Sequence, residues 1–444
     1  MVDTEIRSIV TRRVRRAAAF ALVGSLSLAA PVLGPAAFVP FAAIGLLAAL
    51  VIDGGPLFDL FARPGDHEDH TLYGLAGFSL ATTGLALLVI VGFPPELFAG
   101  TVCLLVGGNL AQQAVSVGKT DDLSTTTGFT VGGFLSGTAA QLLVTPFSLG
   151  VNPASATFLA ACGALIAALL RGVLYQRDDP LVLLSVGLVL WVIADLGIGI
   201  SAVEITVAIA VTALLGYVSY ALGTASIPGM VTGMLLALVT IVLGGYAWFV
   251  LLIAFFAIGG LSAKFRYEQK RSRGVAEDNE GARGSGNVLG NSAVALVAVL
   301  GYAATPDPVT LPSALFLFAF AGAVATAMAD TLSSEIGGVY DGPRLITTGE
   351  RVSPGTDGAI TWQGELAGFA GALVVAVPAL FLFEAITPAG AVLIALGGIA
   401  GMTADSLLGA TVENRWLDNQ GVNFLATLVG ALVAVSLAAL GGLL

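Results

Sequence analysis

Two stretches of this chain bring carboxylates, hydroxyls and glycines close enough together to do chemistry. The first, Ala329-Asp330-Thr331-Leu332-Ser333-Ser334-Glu335-Ile336-Gly337-Gly338, runs on into a loop holding Arg344, Thr347, Thr348, Gly349, Pro354, Gly355, Thr356, Asp357 and Gly358. The second is Ala404-Asp405-Ser406-Leu407-Leu408-Gly409-Ala410-Thr411. Both contain Ala-Asp-(Thr/Ser)-Leu, 75 residues apart. Carboxylates with hydroxyls and water are hard oxygen donors, a set that suits Mg²⁺ beside phosphates rather than zinc. Asp330 and Ser334 are four apart and share a helical face, whereas Glu335 points elsewhere unless the helix ends before it. One Asp alone is explained equally well by solvent at a helix end, but the whole set favours function, because a carboxylate near a membrane costs energy unless paired, hydrated or metal-bound. Asn287 and Asn291 are again four apart, and Asn423 follows Asn414, Asp418 and Asn419. Their amides would orient a phosphate or a base, or equally well join helices by hydrogen bonds.

Other patterns fall away. Gly118-Lys119-Thr120 imitates the end of a phosphate-binding P-loop, but Gln113 stands where that loop needs its first glycine. His67 and His70 are the only histidines and sit beside Asp66, Glu68 and Asp69, which reads as a solvated loop rather than a metal site. No Ser-His-Asp set or metalloprotease helix motif is present. Asp341-Gly342-Pro343-Arg344 resembles the start of a CDP-alcohol phosphotransferase motif, yet the ordered Asp series does not follow.

The elements that must hold these residues are membrane helices. Of 444 residues 57% are hydrophobic and 11% charged, so lipid rather than water is the main solvent. The apolar runs are about twenty residues long and do not alternate, which is the pattern of spanning helices and not of a barrel. The fold expected is all-α, a polytopic bundle of about fifteen spans at roughly twenty residues per span. They centre near Ser25, Ala43, Ala81, Leu105, Phe134, Gly163, Val189, Val211, Leu235, Phe255, Ala295, Leu317, Leu373, Leu396 and Leu432. Gly132-Gly133 with Gly137, and Gly397-Gly398 with Gly401, suit close helix approach, although a chain with 57 glycines produces such pairs by composition too.

Orientation follows from scarce cations. With Arg7, Arg12, Arg13, Arg15 and Arg16 in the cytosol and sides alternating, Arg63, Lys119, Arg171, Arg177, Lys264 through Arg283, Arg344, Arg351 and Arg415 all fall on the same side. The other side receives turns without Lys or Arg, such as Phe93-Pro94-Pro95-Glu96, Thr305-Pro306-Asp307 and Glu384-Ala385-Ile386-Thr387. This gives a cell-membrane protein with a cytosolic N-terminus and its polar site facing the cytosol. The basic start reads as a signal anchor, since further spans follow at once. Residues Ala263 to Gly286 form a charged linker, the best boundary in the chain by composition, and a cytosolic loop is expected over 330–361. Cys103 and Cys162 lie in apolar runs and imply no disulfide. The net charge of -11, with three Lys against fifteen Arg, fits a salt-adapted, halophilic surface and argues against nucleic acid as a partner.

Asn291 after the basic linker, ADTLSSEIG at 329–337, PRLITTGERVSPGTDGAITWQG at 343–364, ADSLLGAT at 404–411 and Gly421-Val422-Asn423-Phe424 together resemble the membrane family called domain of unknown function 92. That family includes transmembrane protein 19 and the chloroplast phytyl-phosphate kinase, and the likeness covers about residues 200–444. It implies transfer of a phosphoryl group from a nucleoside triphosphate, CTP foremost, to a polyprenyl (phytyl or geranylgeranyl) monophosphate. Residues 1–200 more loosely resemble dolichol and phytol kinases, whose Gly-Asp-Ala-Leu-Ala would align with Gly108-Asn109-Leu110-Ala111. Asn109 replaces the acid there, so 1–200 is expected to be a non-catalytic membrane domain and 201–444 the family domain.

The residues suit this chemistry on their own terms. A lipid phosphate with a second pKa near 6 is largely ionised at neutral pH, so no histidine base is needed. What remains is positioning and neutralisation of charge. Accordingly Asp330, Glu335 and Asp405 are assigned to Mg²⁺ and catalysis, and Arg283 and Arg344 to phosphate. Thr347, Thr348, Gly355, Thr356 and Gly358 are assigned hydrogen bonds from the loop, and Asn291 and Asn423 nucleotide or phosphate contacts. The partners are then membrane lipid, a prenyl phosphate and a nucleoside triphosphate. The competing reading is a transporter or scramblase for a phospholipid or anion, whose polar groups would sit at mid-span, where Gln141 is an exception here. A scaffold protein would bind no nucleotide.

Overall fold

The computed structural model describes residues 2–147, 152–174, 179–197, 199–276, 281–305 and 312–444, with side chains from residue 11 onward. The Arg7 side chain, Arg177, and Pro306 and Asp307 of one expected outer turn lie outside that description. The protein is a polytopic all-α membrane protein. The chain forms two compact units, residues 1–209 and 210–444.

The first unit holds α1 (Val2–Ser25), α2 (Ala30–Leu33), α3 (Val39–Leu50), α4 (Gly55–Phe61), α5 (Asp66–Asp69), α6 (Tyr73–Leu88), α7 (Pro95–Val115), α8 (Asp122–Val144), α9 (Pro153–Val173) and α10 (Asp179–Asp195). The division between units falls within α11 (Ala202–Ala221). Helix α7 is central, packing on α1, α8, α9 and α10. Gly133 and Gly137 lie on its contact with α8, where an added Cβ would stand 3.1 Å from Leu104 O and Leu104 Cβ respectively. In the histidine-bearing loop His67, Glu68, Asp69 and His70 are exposed, as a solvated loop requires, while Asp66 is buried and accepts the Arg63 backbone N–H at 2.8 Å.

The second unit holds α12 (Ile227–Val239), α13 (Tyr246–Lys264), α14 (Tyr267–Ser272), α15 (Ser285–Ala303), α16 (Ser313–Gly337), β1 (Arg344–Leu345), β2 (Ala359–Ile360), α17 (Trp362–Leu382), α18 (Pro388–Thr411) and α19 (Asn419–Leu440). Helix α16 is its axis, touching α13, α15, α17, α18 and α19. Small residues permit this. A Cβ on Gly398 would come within 2.9 Å of Ala325 Cβ, and one on Gly397 within 2.8 Å of Gly430 O. In lipid, where apolar burial drives little association, such backbone approach supplies dispersion contact instead. Thr361, Thr387 and Asp418 cap α17, α18 and α19, accepting the N–H groups of Gly364, Gly390 and Gly421.

Among the described residues twelve helices are long and apolar enough to cross a membrane, thirteen if Val39–Leu50 and Gly55–Phe61, bent by 106°, count as one span. This falls short of the fifteen expected. Helix α3 has 12 residues, α10 has 17, and α8 is diluted by threonine, serine and glycine. The charged linker is also not a boundary between units. It folds within the second one as α14, whose Lys270 is 0% exposed.

Candidate active site

The two Ala-Asp-(Thr/Ser)-Leu segments meet. Asp330 lies seven residues before the end of α16 and Asp405 six before the end of α18. At about 1.5 Å per residue, both sit roughly 10 Å inside those helix ends. Their carboxyls are in hydrogen-bond contact. Asp405 Oδ1 is buried and has no hydrogen-bond partner among the described residues. Two carboxylates this close need a proton or a cation between them. Among the described residues no three Asp, Glu, His or Cys side chains group to hold a metal by themselves. The pair therefore suits a cation that completes its shell with water and phosphate oxygens, as Mg²⁺ does, and not a zinc ion held wholly by protein.

Glu335 does not join them. Because α16 continues to Gly337, Glu335 falls on another face, where its carboxylate takes a charge-assisted bond from buried Lys270. Lys270 Nζ also donates to Ser262 O at 3.2 Å and Ala263 O at 2.6 Å. Nearby, Gln269 donates to Val339 O at 3.1 Å, and Arg273 donates to Gly338 O at 3.2 Å and pairs with Asp341. The linker thus straps the end of α16 and the turn that leaves it. The assignment of Glu335 to metal gives way to a structural one, since a carboxylate saturated by an ammonium has no charge to lend a second cation.

A third acid stands near the pair and was missed by sequence reasoning. Glu413, two residues past α18, has its pKa raised by partial burial and by the negative charges of Asp357, Asp330 and Asp418. Its position follows from the turn after α18. Asn414 adopts a left-handed conformation at φ 57° and donates Nδ2 to Asp357 Oδ2 at 2.8 Å. Gly358, at φ 71°, lies against Ala410 on α18, and a Cβ on Gly409 would come 3.0 Å from Gly358 N and 3.2 Å from a Glu413 carboxylate oxygen. No helical periodicity links Glu413 to Asp405, because the helix ends between them.

Arg283 enters from the other flank. It is 3% exposed, its backbone is fixed between Thr224 O and the Ser226 N–H, and its guanidinium lies over the Phe255 ring. Nη2 donates to Thr331 Oγ1 at 3.3 Å, beside Asp330 in sequence. Arg344 instead folds onto its own loop, donating Nη1 to Gly349 O at 2.6 Å from an exposed position. The loop is a two-stranded ribbon, Arg344 opposite Ile360 and Leu345 opposite Ala359. Thr347, Thr348, Gly355 and Thr356 are exposed on it. Thr348 Oγ1 accepts from Glu350 N at 3.3 Å and Thr356 Oγ1 donates to Ser353 O at 2.8 Å, so those hydroxyls shape turns. Asn291 and Asn423 are buried on α15 and α19, and Asn291 donates to Asn287 O of its own helix at 3.0 Å. Between those helices a Cβ on Gly290 would stand 2.9 Å from Gln420 O, and Gln420 Oε1 is buried without a partner among the described residues.

The stretch that carries this geometry is the stretch shared with other proteins, since residues 210–431 match the integral membrane protein family DUF92. The chain belongs to that family. An uncharacterized membrane protein of Methanocaldococcus jannaschii is 35% identical over 217 residues, 47% of this chain and 83% of that protein. One of Synechocystis is 33% identical over 198 residues, 44% of this chain and 75% of that protein. Protein VTE6, chloroplastic, of Arabidopsis thaliana is 33% identical over 221 residues, 47% of this chain and 64% of that protein. No solved structure matches. The paired aspartates of this DUF92 protein thus lie wholly inside its family region, as do Glu413, Arg283 and the ribbon loop.

Proposed function

We propose that this DUF92 protein is a membrane-embedded kinase that moves a phosphoryl group from CTP or another nucleoside triphosphate onto a polyprenyl monophosphate, forming the diphosphate. The observation that carries this is the meeting of Asp330 and Asp405 with a buried carboxylate oxygen left over. The similarity to VTE6 and the family resemblance supply the substrate class. When bound, Mg²⁺ would neutralise the triphosphate charge. Asp330 and Asp405 would hold it, and Glu413, at the edge of the pair, would add to the negative field that concentrates it. Arg283 would steady the Asp330 segment through Thr331 and present positive charge beside it. The lipid phosphate brings its own ionised nucleophile, so the protein need only align it and exclude water.

Depth favours an enzyme over a transporter: the acids lie near helix ends, where a soluble triphosphate meets a lipid headgroup, rather than at the middle of broken helices. On this reading the site faces the cytosol at the cell membrane, which the distribution of cations favours. The test is purified protein in detergent with labelled CTP and geranylgeranyl or phytyl monophosphate. Label is expected in a lipid diphosphate with wild type and absent with Asp330→Asn and Asp405→Asn. Transfer that survives both changes would remove the site assignment.

A further inference from the structure

The first unit contains a second polar site, unrelated to the paired aspartates. A cleft of about 1550 Å³ opens among α1, α4, α6, α7, α9 and the start of α10. Its floor holds three arginines, Arg16, Arg63 and Arg171. Arg63 acts electrostatically on both of the others, so three like charges share one partly buried space. Two carboxylates face them from the floor. Asp179 is reached by Arg63 at 3.5 Å and by Arg171 at 3.4 Å, and Asp66 accepts the Arg63 backbone N–H and faces Arg16. The rim carries Arg12, Arg13 and Arg15 against Asp59, Glu68 and Asp69, and so adds no net charge. Among the described lining residues the floor thus sets three guanidinia against two carboxylates.

Arg171 shows where an anion would sit. Its side chain is 16% exposed, packs over the Phe129 ring at 4.6 Å and donates Nη2 to Asn109 Oδ1 at 3.3 Å. Its Nη1 is buried with no hydrogen-bond partner among the described residues. Such a group costs stability unless something accepts from it. Asp179 meets Arg63 Nη2 at 3.5 Å and Arg171 Nε at 3.4 Å, which leaves Arg171 Nη1 open to a further acceptor. A tetrahedral oxyanion with several oxygens and close to two charges would span them. Phe20, Phe78 and Leu105 line the same cleft, and α1, α6 and α7 are among the membrane-crossing helices, so an apolar tail has a path beside the anion.

We propose that this cleft binds the phosphate headgroup of an anionic lipid between the Arg63 and Arg171 guanidinia, with the tail against Phe20, Phe78 and Leu105. The site is one of binding, with Asn109 fixing Arg171 and Asp179 holding the place of the phosphate when no lipid is bound, and it stands independently of the kinase reading.

The test uses the full chain in neutral detergent, titrated with dioleoyl phosphatidic acid, with phosphatidylcholine and with inorganic phosphate, and read by native mass spectrometry and thermal stabilisation. Phosphatidic acid is expected to bind and phosphatidylcholine not. Arg63→Gln and Arg171→Gln should each weaken binding by about tenfold, the loss of one charge-assisted pair. Asp179→Asn, which removes the competing carboxylate and keeps both guanidinia, should tighten it. Competition by inorganic phosphate would show that the phosphate alone is recognised, and retention of lipid against excess phosphate that the tail contributes; either supports the site. Equal affinity in wild type and Arg171→Gln overturns it. Should the arginine variants fail to fold, unchanged affinity in Asp179→Asn overturns it as well.

Discussion

Asparagine at 405 keeps the shape of the aspartate and removes the charge, which makes it the cleanest probe of the carboxylate pair. Either Asp330→Asn or Asp405→Asn should reduce phosphoryl transfer by about 100-fold or more, the scale set by loss of a major electrostatic contact, while the protein stays folded. Glu413 offers a pH test. Its folded pKa is raised by burial and then by Asp357, Asp330 and Asp418. A raised value means that its protonated form is favoured in the fold. Its contribution is therefore full below the ordinary glutamate pKa of about 4.3 and is lost as pH rises through the folded value. Thermal melts without metal should accordingly favour Glu413→Gln over wild type at neutral pH and show little difference in acid. Added Mg²⁺ should stabilise wild type more at neutral pH than in acid. Parallel pH profiles for the two proteins would contradict both expectations.

Among the elements, the strap formed by α14 is the part whose sequence misleads most, because six cations between 264 and 283 read as a solvated linker. Packing makes one of them a core residue. Breaking the buried Lys270–Glu335 pair by Lys270→Met or Glu335→Gln should destabilise the unit by about 3–5 kcal/mol, since each leaves a charge without its partner. Lys270→Met combined with Glu335→Leu should recover part of that loss. Equal melting of the two single variants and the double one would show that the charges are not coupled. The ribbon loop has its own anchor at Gly358. An alanine there must take φ 71° and press on Ala410, so Gly358→Ala should lower the melting temperature and, by shifting Asp357 and Glu413 against α18, weaken Mg²⁺ binding.

At the scale of the molecule, the family region and the second compact unit begin together at residue 210, inside α11. A chain starting at Ser201, ahead of that helix, should therefore fold and transfer phosphate at a rate close to that of the full protein. Loss of transfer with retained folding would assign the first unit a part in the reaction.

The all-α membrane class was legible from residues alone, because twenty apolar residues in lipid have no other way to satisfy their backbone. The two aspartates were legible as well, since each stands out as a charge beside glycine and hydroxyl in an apolar run. The spacing already set Glu335 on another face from Asp330 if the helix ran on, but its use was not legible, because only the neighbour facing it, Lys270, decides that. Glu413 and Lys270 were hidden for the same reason. A turn at Asn414 and a fold-back of α14 carry them to their partners, and no periodicity in the sequence records which helices meet.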